Sequence, residues 1–167
     1  TFLLIAMLVA MVFNFTPAQP ATALSADVVI SQVYGGGSNS GAVYTHDFIE
    51  LFNRGATPVS LAGWSLQYAS ATGTGNFGAN SGQITLLPDI SLAPGQYLLV
   101  REYCGTVGAP LPTPDVTDDT PINMSGTGGK VALVESIASL GCNGGSTPCT
   151  PAQLALIKDL VGWGLGV

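Results

Sequence analysis

Short alternations of apolar and polar residues, each cut off by glycine or proline, recur along most of this chain and leave it few folds to choose from. DVVISQVYGGG, residues 27 to 37, sets Val28, Ile30 and Gln32 against Val29, Ser31 and Val33 and stops at three glycines. HDFIELFN, 46 to 53, follows with the same two-residue period, and TPVSLAGWSLQY, 57 to 68, reads as a third strand with a bend or bulge at Ala62 and Gly63. A period of two is the mark of a strand with one face covered. QITLL (83 to 87), DISLAPGQYLLVRE (89 to 102, two strands about a Pro94-Gly95 turn) and GKVALVES (129 to 136) continue the series. The segments 69 to 82 and 103 to 127 are rich in glycine and proline respectively and read as irregular. One helical turn opening at Thr150 as N-cap and Pro151, followed by a strand through IKDLVGWG, is expected near the end. Seven or so short strands without a βαβ rhythm predict an all-β antiparallel sandwich.

The composition agrees. Only 8% of residues are charged, while 22 are glycine and 11 proline, a balance suited to short strands and tight turns. Ten acidic and four basic residues give a net charge of -6 without a basic cluster, which disfavours direct binding to nucleic-acid backbone. The apolar run Phe2 to Phe13 has the length of a signal-peptide core and falls short of a membrane span. Ala21 and Ala23 stand at -3 and -1, so a leader over residues 1–23 is expected, with cleavage after Ala26 as the alternative. Secretion is the localisation this predicts. The chain opens at Thr1 without a basic leader start, and its final strand has barely begun at Val167, so further sequence is expected at both ends of the 27–167 domain. Cys142 and Cys149 bracket the turn-rich NGGSTP and predict a disulfide, leaving Cys104 over.

At DFIELFNRGATPVSLAGWSLQ the pattern becomes specific, and with its neighbours it resembles the lamin tail domain. The pieces are VVISQVYGGGSNSGAVYTHDFIEL, Asn53 after it, VSLAGWSL with its Gly63-Trp64 pair, ISLAPGQYLLV, GKVALV and DLVGWG, in that order over residues 27 to 164. The resemblance implies an immunoglobulin-like sandwich, of the secreted bacterial type rather than the nuclear one, since no coiled-coil rod or prenylation box accompanies it. It further implies a module for attachment, localisation or protein contact at the cell surface, often found beside an extracellular nuclease or phosphoesterase. It carries no catalytic residues.

Among single residues, Glu50 alternates with Phe48 and Phe52 while Asp47, Ile49 and Leu51 face the other way. Glu50 is expected to be a structural carboxylate, held by backbone N–H groups or by Arg54 or Arg101, because a buried unpaired charge is costly. The lone histidine, His46, is expected to be a solvated loop-end residue. Asp115, Asp118 and Asp119 offer a weak Ca²⁺ site without regular loop spacing, the only cofactor to consider. Asn53, Gly63 and Trp64 are read as structural. Tyr68 and Phe77, flanking the open loop, are the candidates for stacking on a sugar in a glycan- or Ca²⁺-dependent adhesion module. No nucleophile elbow, phosphate loop or dinucleotide fingerprint is present, so catalytic residues are expected to be none here and any active site to lie in a further domain.

Overall fold

The computed structural model describes residues 27–72 and 74–164. The expected leader lies outside the described residues. Among the described residues ten strands run β1 Val28–Tyr34, β2 His46–Asn53, β3 Val59–Ser60, β4 Ser65–Ser70, β5 Ile84–Leu86, β6 Ser91–Leu92, β7 Tyr97–Cys104, β8 Val116–Thr117, β9 Gly129–Val134 and β10 Ile157–Trp163, with a 3-10 turn Ser81–Gln83 before β5 and one α-helix, α1 Pro151–Leu156, before β10. They form an immunoglobulin-like sandwich of two four-stranded sheets, β1-β2-β7-β8 and β10-β9-β4-β5, with the two-stranded β3-β6 beside them. Every pairing is antiparallel except β7 with β8, where Val100 and Arg101 run parallel to Val116 and Thr117.

Side chains of alternate residues fill the space between the layers, as the two-residue period requires. Val28, Ile30, Ile49, Leu51, Leu98 and Val100 from the first sheet meet Leu66, Tyr68, Val131 and Leu133 from the second, all buried. The second sheet is also covered on its outer face. Ala69, Ala132, Val134 and Ile157 pack there against Phe77, Leu140 and Cys142, which the loops on either side fold back to supply. A strand buried on both faces reads as a continuous apolar run, which is why VALV in β9 shows no alternation.

The stretch 57–68 is not one strand with a bulge. Trp64 N–H bonds to Leu61 O at 3.1 Å, closing a tight turn with Gly63 at φ +76°, a conformation a Cβ would resist. The turn carries the chain from β3, in the small sheet, to β4 in the second layer. The Pro94-Gly95 turn forms as expected, with Gln96 N–H on Ala93 O, yet its flanking strands β6 and β7 belong to different sheets. The irregular 103–127 stretch contains β8.

One flank of the sandwich is stitched shut. Beside a bulge between Ile30 and Gln32 the N–H of Ile30 turns outward from the edge strand β1, and it donates to Asp159 Oδ2 at 2.7 Å. Asp159 sits at a matching bulge in β10, so the two edge strands are joined by a side chain. At the opposite flank no side-chain bond is described between the edge strands β5 and β8 themselves, and the layers are tied there by the Thr85 hydroxyl of β5 donating to the Glu102 carboxylate of β7.

The helical turn is well specified. Thr150 and Gln153 form a reciprocal capping box with Pro151 in the first turn. Cys142 and Cys149 are bridged with Cα atoms 5.1 Å apart. So short a loop constrains the unfolded chain little, so the Cys142→Ser, Cys149→Ser double variant is expected to lose about 2 kcal/mol, measured by urea unfolding.

Candidate functional site

The acidic side chains decide whether this sandwich holds an active site. Glu50 lies partly buried on the outer face of β2. Neither Arg54 nor Arg101 pairs with it, and no backbone N–H holds it, contrary to expectation. Ser31, the residue the β1 bulge leaves over, donates its hydroxyl to Glu50 Oε1 at 2.6 Å, and Gln32 Nε2 approaches the same oxygen at 3.3 Å. The small groove of about 180 Å³ beside it is lined by Gln32, Tyr44, Phe48, Leu99, Leu111 and Pro112, none of which is a second carboxylate or a histidine. General acid–base chemistry needs a second titrating partner within reach, so Glu50 has no catalytic company there. Glu50→Gln keeps both contacts in reach, so its unfolding free energy by urea titration is expected to stay within about 1 kcal/mol of the wild type.

The carboxylates that are deeply buried are two others. Asp47 shares the inward face of β2 with Ile49 and Leu51 and is 1% exposed. Its Oδ1 accepts from Gly37 N–H at 2.6 Å and its Oδ2 from Met124 N–H at 2.7 Å. Gly37 must be glycine for this approach, because a Cβ would run into the backbone of His46 and Asp47. Burial pushes the Asp47 carboxyl up to about 6, against the pull of its backbone donors. Glu102 shares the inward face of β7 with Leu98 and Val100 and is 2% exposed. Ile122 N–H donates to its Oε2 at 2.8 Å, and Thr85 Oγ1 lies 2.8 Å from Oε1. Burial pushes Glu102 up to about 8; the bonds from Ile122 and Thr85 oppose this, and the charges of Asp118 and Asp47 add to it.

The two acids have one job between them. The segment Ile122–Met124 belongs to no strand and is buried at Ile122 and Met124, so its N–H groups need acceptors that no sheet supplies. Glu102 and Asp47 are those acceptors, while the carbonyls of Ile122 and Met124 take Tyr103 N–H and Gly36 N–H. Through Thr85 and Ile122, Glu102 also ties β5 to the irregular segment across the sandwich.

The other residues singled out in the sequence fall as follows. Asn53 is fully buried and donates to Thr57 O and Leu92 O at 2.9 and 2.7 Å while accepting from Gly55 N–H. Trp64 is in the core, with Lys158 Nζ 5.8 Å from its ring centre. Tyr68 and Phe77 are not a sugar platform. They are 6% and 2% exposed, Tyr68 between the layers and Phe77 beneath the folded-back loop, so neither offers a ring face. His46 opens β2 where the loop ends, only partly buried, with Nδ1 2.7 Å from Thr45 Oγ1, and burial and then Arg101 lower its pKa. Cys104 is exposed and free. The three aspartates are not gathered into one donor set: Asp115 accepts from Leu99 N–H, Asp118 from Thr120 N–H, and among the described residues no group of three or more His, Cys, Asp or Glu is placed to hold a metal.

What the fold leaves open is surface. Phe52 and Tyr97 stack at 4.5 Å on the outer face of the first sheet, where Tyr97 is well exposed. On the β5–β8 flank an open groove of about 430 Å³ is lined by Ser81, Ile84, Leu86 and Ile137 on one side and Thr117, Asp118, Asp119 and Thr120 on the other. Neither Asp47 nor Glu102 lines either groove.

Compared with known proteins, the chain matches the family model of the Lamin Tail Domain over residues 21–143. The chain belongs to the lamin tail domain family. The matched stretch takes in β1 to β9, and with it both buried acids and the Gly63-Trp64 turn. No curated protein matches this lamin tail domain. A similar solved structure is a DUF4876 family protein from Bacteroides thetaiotaomicron, 13% identical with a TM-score of 0.43, covering 66% of this chain and 42% of that one. The lamin tail domain described here thus spans less than half of that protein.

Proposed function

We propose that this lamin tail domain is a secreted, non-catalytic module that attaches or positions a larger protein at the cell surface or on an extracellular polymer. One observation supports this most: the side chains with the chemistry to catalyse are already occupied inside the fold. Among the described residues no buried side-chain nitrogen or oxygen lacks a partner, and the acids with displaced pKa values hold backbone N–H groups rather than facing a cleft. Open sheet and loop surface is then what is left to recognise a partner. The disulfide fits an oxidising compartment, and among the described residues no helix is long and apolar enough to cross a membrane.

The test is to assay the purified protein on phosphodiester, phosphomonoester and glycoside substrates with divalent cations present, and in parallel to measure its retention on isolated cell envelopes. Retention without turnover is expected. Turnover of any of these substrates by the purified protein would contradict the proposal.

A further inference from the structure

The β5–β8 flank combines three features that point to one kind of occupant. First, β5 is an edge strand with an unused side. In its antiparallel ladder with β4, Leu87 N–H bonds to Trp64 O, and by alternation the N–H and C=O groups of Ile84 and Leu86 turn away from β4. No hydrogen bond to those groups is formed from any other described element. Second, the rim is apolar on that side, with Leu86 53% and Ile137 61% exposed. Third, the facing wall is acidic. Asp118 uses one oxygen to cap Thr120, Asp119 makes no hydrogen bond or ion pair among the described residues, and no Lys or Arg lines the groove.

We infer that this groove binds an extended basic peptide segment, which adds a strand to the free edge of β5, packs alternate apolar side chains on Ile84, Leu86 and Ile137, and sets Lys or Arg against Asp118 and Asp119. Strand addition takes affinity from main-chain bonds and specificity from alternate side chains. A volume of about 430 Å³ falls within the roughly 300–1,000 Å³ of ligand clefts. A strand that accepts a partner has to be held in place, and β5 is: Thr85, between the two outward-turned residues, faces inward and is anchored on Glu102. A second copy of this chain fits less well, since pairing β5 with β5 brings two such acidic walls together. The inference rests on the reading of the domain as an interaction module and names the chemistry of its partner.

The probe is a capped synthetic peptide alternating Val and Lys, compared with its Val–Glu counterpart and a backbone N-methylated Val–Lys peptide. Binding is followed by amide NMR shifts of the full chain at low and high salt. Shifts centred on Ile84, Leu86 and residues 117–120 are expected, with the Val–Glu and N-methylated peptides at least about tenfold weaker, and binding weakened by salt. Leu86→Lys and Asp119→Lys, both at exposed positions, are each expected to weaken the Val–Lys peptide about tenfold, and Asp119→Lys to improve the Val–Glu peptide. No binding of the Val–Lys peptide, equal binding of both charge types, or shifts centred on Phe52 and Tyr97 would overturn the site. So would Ca²⁺ moving the same resonances at comparable affinity, or a dimer in sedimentation that Leu86→Lys abolishes. Each of these leaves the non-catalytic reading intact, whereas substrate turnover would end that reading and leave a positive peptide result standing.

Discussion

Glu102→Gln is expected to make this protein more stable at alkaline pH while changing little in mild acid. Glu102 has its pKa raised to about 8 from an ordinary 4.5, so the folded state binds this proton more tightly than the unfolded chain. The sign follows: the stabilisation is fully present below the unfolded pKa and is lost as pH rises toward the folded one. Between about pH 4 and 8 the wild type should lose on the order of 3–4 kcal/mol from this residue. Asp47, raised to about 6, contributes in the same direction over the acid part of that window. Glutamine is the shape of the protonated acid. Its amide oxygen can accept from Ile122 N–H and its NH₂ can donate to Thr85 Oγ1, reversing the bond that the Thr85 hydroxyl makes to the carboxylate. Thermal unfolding at about pH 9 should show the variant melting roughly 10 °C above the wild type, with the two within a few degrees near pH 5. Equal melting at both pH values would mean that Glu102 ionises freely in the fold.

Asn53→Ala is expected to cost about 3 kcal/mol, with an unfolding midpoint in urea lowered at unchanged slope. The side chain is completely buried and makes three hydrogen bonds, joining the end of β2 to the turn before β3 and to β6. Its removal leaves the buried carbonyl of Leu92 without its donor and takes partners from the Thr57 carbonyl and the Gly55 N–H nearer the surface, and that penalty exceeds the loss of volume. Asn53→Asp separates the two causes. It keeps the volume but replaces the donor to Thr57 O and Leu92 O with a carboxylate, so it should be at least as destabilising as alanine near neutral pH. A mild aspartate variant would show that packing rather than hydrogen bonding sets the cost.

Much of the fold is legible in the residues. HDFIELFN and VVISQVY become β2 and β1 because one face of each is more deeply buried than the other, and the two-residue period records that difference. The capping signals of Thr150, Pro151 and Gln153 place the helical turn, and the run after it is β10. Two-residue strands carry no period, so β3 could not be told from the front of β4. The parallel β8 sits amid prolines, where edge pairing is permitted but not marked. Phe77 lies in a glycine-dense loop with no periodicity at all; it is buried because that loop folds back over an already formed sheet, a tertiary event with no local signature.

The acids were legible in part. The same alternation that set Glu50 on the outer face of β2 set Asp47 with Ile49 and Leu51 on the inner one, and Glu102 stands in the same relation to Leu98 and Val100. A carboxylate in register with core residues is the signal for a buried acid. What it serves was not legible, because its partners, Ile122 and Met124, lie in a distant segment with no strand pattern.

Glu102 and Asp47 are sealed inside the fold as acceptors for the Ile122–Met124 segment. The direct test is a ¹³C NMR titration of the side-chain carboxyl carbons in the native protein. It should give midpoints near 8 for Glu102 and near 6 for Asp47. Ordinary carboxylate midpoints for both, with the fold intact, would show that water reaches these groups and would contradict the account.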